Sequence, residues 1–307
     1  MIGKILLSRL GNFLVGEAPV RRFRLFELAF TAAFLILISR NLLEAREWLT
    51  SRGYHRSVPG LSGIEPLPLL PGWAIPFFVV FVFGAGFGVA KWAKGRRFCF
   101  GLLFFAAVYA QGVDTASAFA LNKIYIAGFL FLAFSPGRDN DTASGSIAGV
   151  RAFQGMLLTL YFATGIAKAR GDWLSHSDVV WTHAQGIYRT ETAAWLLRNL
   201  PLWGWAAIQH SVLVFELGAP LWFGWRRTRP VAIAFGLGFH LGIALLMKAV
   251  WVFSLQMAAF YVLFLPDDWA GEVLRRLQNA TRALLGDRAA GQKSRCDSRP
   301  NYLDRSQ

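Results

Sequence analysis

The stretch GMLLTLYFATGIAKARGDW, residues 155–173, decides how the rest of the chain is interpreted. It begins as an apolar helix and ends with a lysine, an arginine, an aspartate and a tryptophan. A lysine at the end of a membrane helix either anchors its amine among the lipid headgroups or works as a base. The choice between these two roles for Lys168 decides whether we expect an enzyme.

The composition places most of the chain in lipid. Hydrophobic residues make up 55% of the 307 positions and charged residues only 16%, and the apolar residues come in the long blocks typical of transmembrane helices. The net charge is +14, but the basic residues cluster in short loops beside these blocks. This pattern is typical of loops that face anionic lipid, so membrane lipid is an expected partner and nucleic acid is not.

Eight apolar segments predict an all-α integral membrane protein, a polytopic helical bundle of about eight transmembrane helices. The segments cover approximately residues 25–38, 74–90, 98–113, 123–134, 150–168, 203–225, 231–247 and 252–265. Some are shorter than the roughly 20 residues that cross a bilayer without tilt, so seven or nine spans stay open.

The distribution of basic residues predicts the orientation. With eight spans and the N-terminus inside, the dense basic clusters at residues 91–97 and 226–229 and at both ends of the chain all lie on the cytoplasmic side. The chain then divides into a basic cytoplasmic leader (1–24), a transmembrane domain (25–266) and a basic cytoplasmic tail (267–307) that is helical to about residue 285 and then disordered. We expect a multi-pass protein of the inner or plasma membrane, with both termini in the cytoplasm.

A polar stripe follows one face of the fifth segment. Gln154, Tyr161 and Lys168 are spaced by seven residues, and Thr164 and Gly165 lie beside them. Lys168 could extend its amine to the outer headgroups while Tyr161 packs against a neighbouring helix. Alternatively, the stripe lines a partly dry pocket in which desolvation disfavours the ammonium, and Lys168 acts as a neutral amine base.

Two further polar positions lie on the sixth and seventh segments. Glu216 and His240 are about equally far from the turn between these segments, so an antiparallel hairpin brings them to similar depth. We expect a Glu216–His240 pair that serves as a structural hydrogen bond rather than a proton relay. His210 should lie near Lys168 in depth and is the best candidate to share its pocket. No residue spacing indicates a metal site.

The motif YFATGIAKARGDWL (161–174) resembles the signature helix of the vitamin K-dependent gamma-carboxylase superfamily, known in bacteria as HTTM (horizontally transferred transmembrane) domain proteins. Members carry an aromatic-rich helix, a G-x-x-K segment and a following Asp and Trp, which here are Tyr161, Gly165, Lys168, Asp172 and Trp173. The flanking stretches LAFSPGRDN, FELGAPLW, FGLGFHLG and SLQMAAFYVLFLPDDW are similar as well, so the resemblance covers approximately residues 22–269.

The resemblance implies that Lys168 is the base. In the carboxylase, the corresponding lysine starts the oxidation of a reduced naphthoquinone by oxygen, and the product then deprotonates glutamate for carboxylation. This chain departs from that pattern, since the lysine pair of the carboxylase reads Ala167–Lys168 and the chain ends soon after the last segment, without a large extracytoplasmic domain. Carboxylation of glutamate is therefore not expected.

Two functions follow as expectations. The first is a carboxylase-like, lyase-like or quinone-dependent membrane enzyme, with base-assisted chemistry on a lipophilic quinone or lipid-borne substrate at an outward-facing pocket. Its cofactor would be a vitamin K-like reduced naphthoquinone, without a metal. The alternative is a non-enzymatic partner in the maturation, export or immunity of a secreted peptide or membrane protein, as in SdpB-type short members. A transporter would need matching repeats, which the sequence does not show.

Overall fold

The computed structural model describes residues 11–53, 55, 67–113, 120–135, 144–248 and 250–297. Within these ranges the chain is helical apart from loops and one short ribbon. The helices are α1 (Arg21–Leu42), α2 (Ala45–Trp48), α3 (Ile75–Lys91), α4 (Arg96–Val113), α5 (Ala120–Phe134), α6 (Ala148–Arg170), α7 (Val179–Ala184), α8 (Glu191–Asn199), α9 (Leu202–Gly224), α10 (Arg229–Leu246), α11 (Trp251–Tyr261) and α12 (Asp267–Asp297).

The expected all-α fold is confirmed, and each of the eight predicted segments is a helix. Among the described residues, three helical stretches are both long and apolar enough to cross a membrane: Arg21–Leu42, Gly72–Lys91 and Arg229–Leu246. Asn122–Phe134 and Trp251–Phe264 are shorter apolar helices. The helices α6 and α9 each have 23 residues and carry the polar side chains described below. The count of eight spans and the cytoplasmic termini stay predictions.

Helix α1 supplies the centre of the hydrophobic core. Its phenylalanines at positions 23, 26, 30 and 34 are spaced by three or four residues, so they share one helical face, and all are buried. The ring of Phe26 lies 4.7 Å from that of Phe153 on α6 and 5.3 Å from that of Phe260 on α11. These ring contacts pack α1 against α6 and α11, two of the helices that carry the site.

A buried ion cluster joins α1 to α3 and α4. The carboxylate of Glu27 accepts hydrogen bonds from Arg24 (3.1 Å) and Arg96 (3.3 Å), and Arg24 also donates to the carbonyl of Val89 (2.9 Å). No local sequence pattern predicts this cluster. Its arginines satisfy a carboxylate that is only 6% exposed and a carbonyl at the end of α3.

Two predicted boundaries move in the structure. The leader already forms a strand, β1 (Glu17–Pro19), which pairs antiparallel with β2 (Ser144–Ser146), and α1 begins at Arg21 rather than at residue 25. A three-residue ribbon is too short to leave a periodic pattern, so the sequence could not predict it. At the other end, α12 runs to Asp297, past the predicted helix end at residue 285.

The site lies where α6, α9, α10 and α11 meet. Helix α6 packs against α9, α9 against α10, and α10 against α11. Glycines permit the closest approaches: a Cβ atom at Gly165 of α6 would lie 2.9 Å from the backbone nitrogen of Leu217 on α9. A Cβ atom at Gly236 of α10 would collide with the Tyr261 side chain of α11. The polar side chains of these four helices are therefore held within reach of one another.

Candidate functional site

An ion pair between α6 and α9 forms the chemical centre of the site. The Nζ atom of Lys168 donates to Oε1 of Glu216 at 2.5 Å. The Glu216 side chain is 5% exposed and the Lys168 side chain 24%, so the pair is reachable from the lysine side only. Since a charge inside a membrane helix is costly, each residue compensates the charge of the other.

The second carboxylate oxygen of Glu216 is not used within the described part of the chain. Oε2 is buried and accepts no hydrogen bond. Thr164 lies near this carboxylate, but its hydroxyl donates instead to the carbonyls of Leu160 and Tyr161, each at 2.9 Å. Besides Lys168, the Thr164 hydroxyl is the side-chain donor that acts on this carboxylate among the described residues, and Oε2 keeps the capacity to accept from a further group.

The lysine is also held by an aromatic ring. Its Nζ atom lies 4.6 Å from the ring centroid of Trp173, which follows α6 after a tight turn. That distance is typical of a cation–π contact. Lys168 is therefore positioned by the Glu216 carboxylate and the Trp173 ring, while Asp172 lies exposed on the outside of the turn.

A second polar group lies deeper along α6. The hydroxyl of Tyr161 lies 2.8 Å from Nε2 of His240 on α10 and contacts the hydroxyl of Tyr261 on α11. All three residues are at most 3% exposed. The other ring nitrogen of His240, Nδ1, is buried without a partner among the described residues. The backbone carbonyl of His240 accepts from Ser254 at 2.7 Å, which fixes α10 against α11.

The polar stripe ends at Gln154. Its Nε2 donates to the carbonyl of Leu263 (2.8 Å) and its Oε1 accepts from Arg151 (2.9 Å). Gln154 is 5% exposed, and its bonds satisfy a carbonyl in the turn that follows α11. It therefore fastens the far end of α6 and does not contact the ion pair.

The comparison with protein families bears on all of these residues. Residues 139–269 match the HTTM domain. This confirms the suspected HTTM resemblance over that segment, which is less than half of the 307 residues but contains every candidate site residue. The family and the apolar helices together indicate a membrane protein. No curated protein matches the chain, and no solved structure matches it.

Two pairings that the sequence predicted within the HTTM segment are wrong. Glu216 pairs with Lys168, and His240 bonds to Tyr161, so the expected Glu216–His240 hydrogen bond is not formed. His210 does not share the lysine pocket, because it is exposed and its Nδ1 bonds to the carbonyl of Ala206 on its own helix (2.8 Å). Depth along the helices was a poor guide, since it leaves their rotation undetermined.

Two residues of the HTTM segment were missed. Gln209 is fully buried, and its Nε2 donates to the carbonyls of Trp173 (2.9 Å) and His176 (2.5 Å). Its Oε1 accepts from the backbone of Val180 (3.3 Å), so it fastens the segment after α6 onto α9. Tyr261 was missed because a tyrosine in an apolar segment resembles a packing residue. An amide in an apolar helix was the signal available for Gln209.

Among the described residues, no group of three or more His, Cys, Asp or Glu side chains could hold a metal ion. The polar groups of the site are an ion pair, a histidine and two tyrosines, which are groups that transfer or orient protons.

Proposed function

We propose that the Lys168–Glu216 pair performs acid–base chemistry on a lipophilic substrate that reaches it from the membrane. The observation that carries the proposal is a buried ion pair with one carboxylate oxygen left without a partner. An ion pair with a purely structural role gains from having both oxygens satisfied, because an unsatisfied buried acceptor costs about 1–3 kcal/mol. The unused Oε2 of Glu216 therefore indicates a ligand.

The geometry assigns separate roles to the two partners. Lys168 donates to Glu216, so in the resting pair the ammonium is the donor and the carboxylate the acceptor. The free acceptor position is Oε2 of Glu216, which takes the proton of a substrate hydroxyl or an acidic C–H group. Lys168 then stabilises the anion that forms on the substrate. The base is therefore the pair as a unit, rather than the lone neutral lysine that the sequence suggested.

The buried acceptor atoms of the site suit the hydroxyl groups of a reduced naphthoquinone, which the resemblance to the carboxylase implies. Such a molecule has hydroxyl donors that match Oε2 of Glu216 and Nδ1 of His240, both buried without partners in the described structure. When bound, it would supply an acidic hydroxyl. Phe215 and Tyr161 pack with ring centroids 5.3 Å apart and provide aromatic surface next to these atoms.

Entry from lipid is supported by the exposed side of α6. Thr164 and Phe162 are exposed and Lys168 is partly so, whereas Tyr161 and Gly165, which lie deeper in the packing against α9, are buried. Lys168 lies about 25 Å along α6 from Arg151, by the rise of 1.5 Å per residue. With the arginine end in the cytoplasm, the pair opens to the outer half of an inner or plasma membrane.

The test is the identity of the bound lipid. The protein is purified gently from its native membrane, and the co-purified lipids are identified by mass spectrometry. Glu216→Gln and Lys168→Met should each lower quinone occupancy about tenfold, whereas His210→Ala should retain it. A cooperative thermal unfolding transition verifies that each variant is folded. Bulk phospholipid alone in all samples, or full quinone occupancy in both pair variants, would overturn the proposal.

A second candidate function, binding of a secreted peptide or membrane protein, is supported by the exposed apolar residues beyond α6. Ile187 is 90% exposed, Trp195 56% and Trp203 75%. A photocrosslinking amino acid at position 195 tests this role in native cells. A defined peptide or protein adduct that persists in Lys168→Met would favour the second function, and adducts with lipid alone would contradict it.

A further inference from the structure

Four arginines from separate elements converge at the end of the bundle opposite Lys168. They are Arg22 on α1, Arg151 on α6, Arg226 in the turn between α9 and α10, and Arg229 on α10. Electrostatic repulsion acts between Arg226 and each of the other three, and Arg22 also repels Arg151 and Arg229. Among the described residues, none of the four forms an ion pair.

The hydrogen bonds and ring contacts independently give the convergence of three of these arginines, and Arg226 lies three residues before Arg229. Three of the arginines lie around the segment 263–267. Arg22 donates its backbone N–H to Oδ1 of Asp267 (3.1 Å). Arg229 lies 5.9 Å from the ring centroid of Phe264. Arg151 reaches the same segment through Gln154, which donates to the carbonyl of Leu263.

The charges in this cluster are far from balanced. Asp267 is the acidic group that attracts Arg22, and no acidic group acts in the same way on Arg151 or Arg229 among the described residues. The Nε atom of Arg22 is buried without a hydrogen-bond partner in the described structure. Arg151 and Arg229 donate some of their side-chain N–H groups to backbone and amide oxygens. A guanidinium has five N–H donors, so further N–H groups are available to an anion. Like charges repel, so a bound anion would stabilise this arrangement.

We infer that this arginine cluster binds the phosphate of an anionic phospholipid headgroup. The position favours lipid over free phosphate, because α1 and α10 are both candidate membrane spans and begin here, at Arg21 and Arg229. A headgroup lies at this level of a bilayer. Leu221 and Val231, both 71% exposed, lie beside the cluster and offer apolar surface to an acyl chain. Basic pockets at the ends of membrane helices are a known mode of headgroup recognition.

The chain offers a matched pair of variants. Arg226 and Arg227 are adjacent and both exposed, but Arg226 and not Arg227 contributes to the repulsion on Arg22 and Arg229. Neither side chain forms a hydrogen bond to another described residue, so Arg226→Gln and Arg227→Gln should both fold. This site is separate from the Lys168–Glu216 pair, so its test does not depend on the proposed function.

The experiment measures thermal unfolding of the detergent-purified protein during titration with phosphatidylglycerol. Phosphatidylcholine and inorganic phosphate at equal phosphate concentration serve as the other two arms. Phosphatidylglycerol should raise the unfolding temperature of the unaltered protein and of Arg227→Gln alike. Arg226→Gln should need about fivefold more of it, by the roughly 1 kcal/mol that one arginine contributes near an anionic surface. Without anionic lipid, Arg226→Gln should unfold at a higher temperature than the unaltered protein, because a repulsion is removed.

Three results would overturn the inference. Equal weakening by Arg226→Gln and Arg227→Gln would mean general surface charge rather than a site. Stabilisation by phosphatidylcholine equal to that by phosphatidylglycerol would remove the role of the anionic headgroup. Stabilisation by inorganic phosphate equal to that by phosphatidylglycerol would assign the cluster to a free anion instead of a lipid.

Discussion

The hydroxyl of Tyr161 lies 2.8 Å from Nε2 of His240, and it also contacts the hydroxyl of Tyr261. One side chain of α6 thus satisfies polar groups on both α10 and α11. A buried hydroxyl between two partners can donate to one and accept from the other. The three helices are therefore held by a polar contact that a packing residue could not provide.

Tyr161→Phe should destabilise the protein more than Tyr261→Phe. The first substitution leaves both His240 and Tyr261 without a partner, at a cost of about 1–3 kcal/mol, whereas the second leaves the Tyr161–His240 bond intact. Tyr125→Phe is the control, because its hydroxyl is buried without a hydrogen bond in the described structure. Thermal unfolding in detergent gives the order. Equal losses in Tyr161→Phe and Tyr125→Phe would contradict this contact.

Gly165→Ala should weaken the packing of α6 on α9. The added methyl group would lie 2.9 Å from the backbone nitrogen of Leu217, which cannot move aside as a flexible side chain could. We expect a loss of about 1–3 kcal/mol in the free energy of unfolding. Gly155→Ala on the same helix is the control, because nothing lies within 4 Å of its Cβ position. It should be neutral or stabilising by up to about 1 kcal/mol. The same response from both would show that α6 and α9 are not in close contact.

Gln209→Leu should release the segment after α6, while His210→Leu should not. Gln209 holds the backbone of Trp173, His176 and Val180, but His210 bonds only to its own helix among the described residues. Hydrogen exchange followed by mass spectrometry reports on the amides of residues 171–186. We expect faster exchange in Gln209→Leu alone. Faster exchange in His210→Leu as well would mean that His210 also helps to hold this segment.

The helices were predictable because their signal is local. The segment predicted at 150–168 is the helix Ala148–Arg170, and the segment predicted at 203–225 is Leu202–Gly224. An uninterrupted apolar stretch identifies a helix without any knowledge of its neighbours.

The contacts of the site were less predictable because they depend on how the helices are rotated. Depth placed Glu216 level with His240 and His210 level with Lys168, but successive residues point about 100° apart around a helix. Gln209 therefore faces inward while its neighbour His210 faces outward. The arginine cluster depends on three distant parts of the chain, which no local pattern brings together.

The coupling between Lys168 and Glu216 tests the central claim most directly. Unfolding free energies are measured for Lys168→Met, Glu216→Met and the double variant. Each single substitution should cost about 3–5 kcal/mol, because it leaves a buried charge without its partner. The double variant should lose far less than the sum of the two.

The exposed Glu272–Arg276 pair, with side chains 42% and 78% exposed, is the control and should couple by under about 1 kcal/mol. Costs at Lys168 and Glu216 that add within about 0.5 kcal/mol would mean that the two residues do not act as a unit. That result would contradict the account.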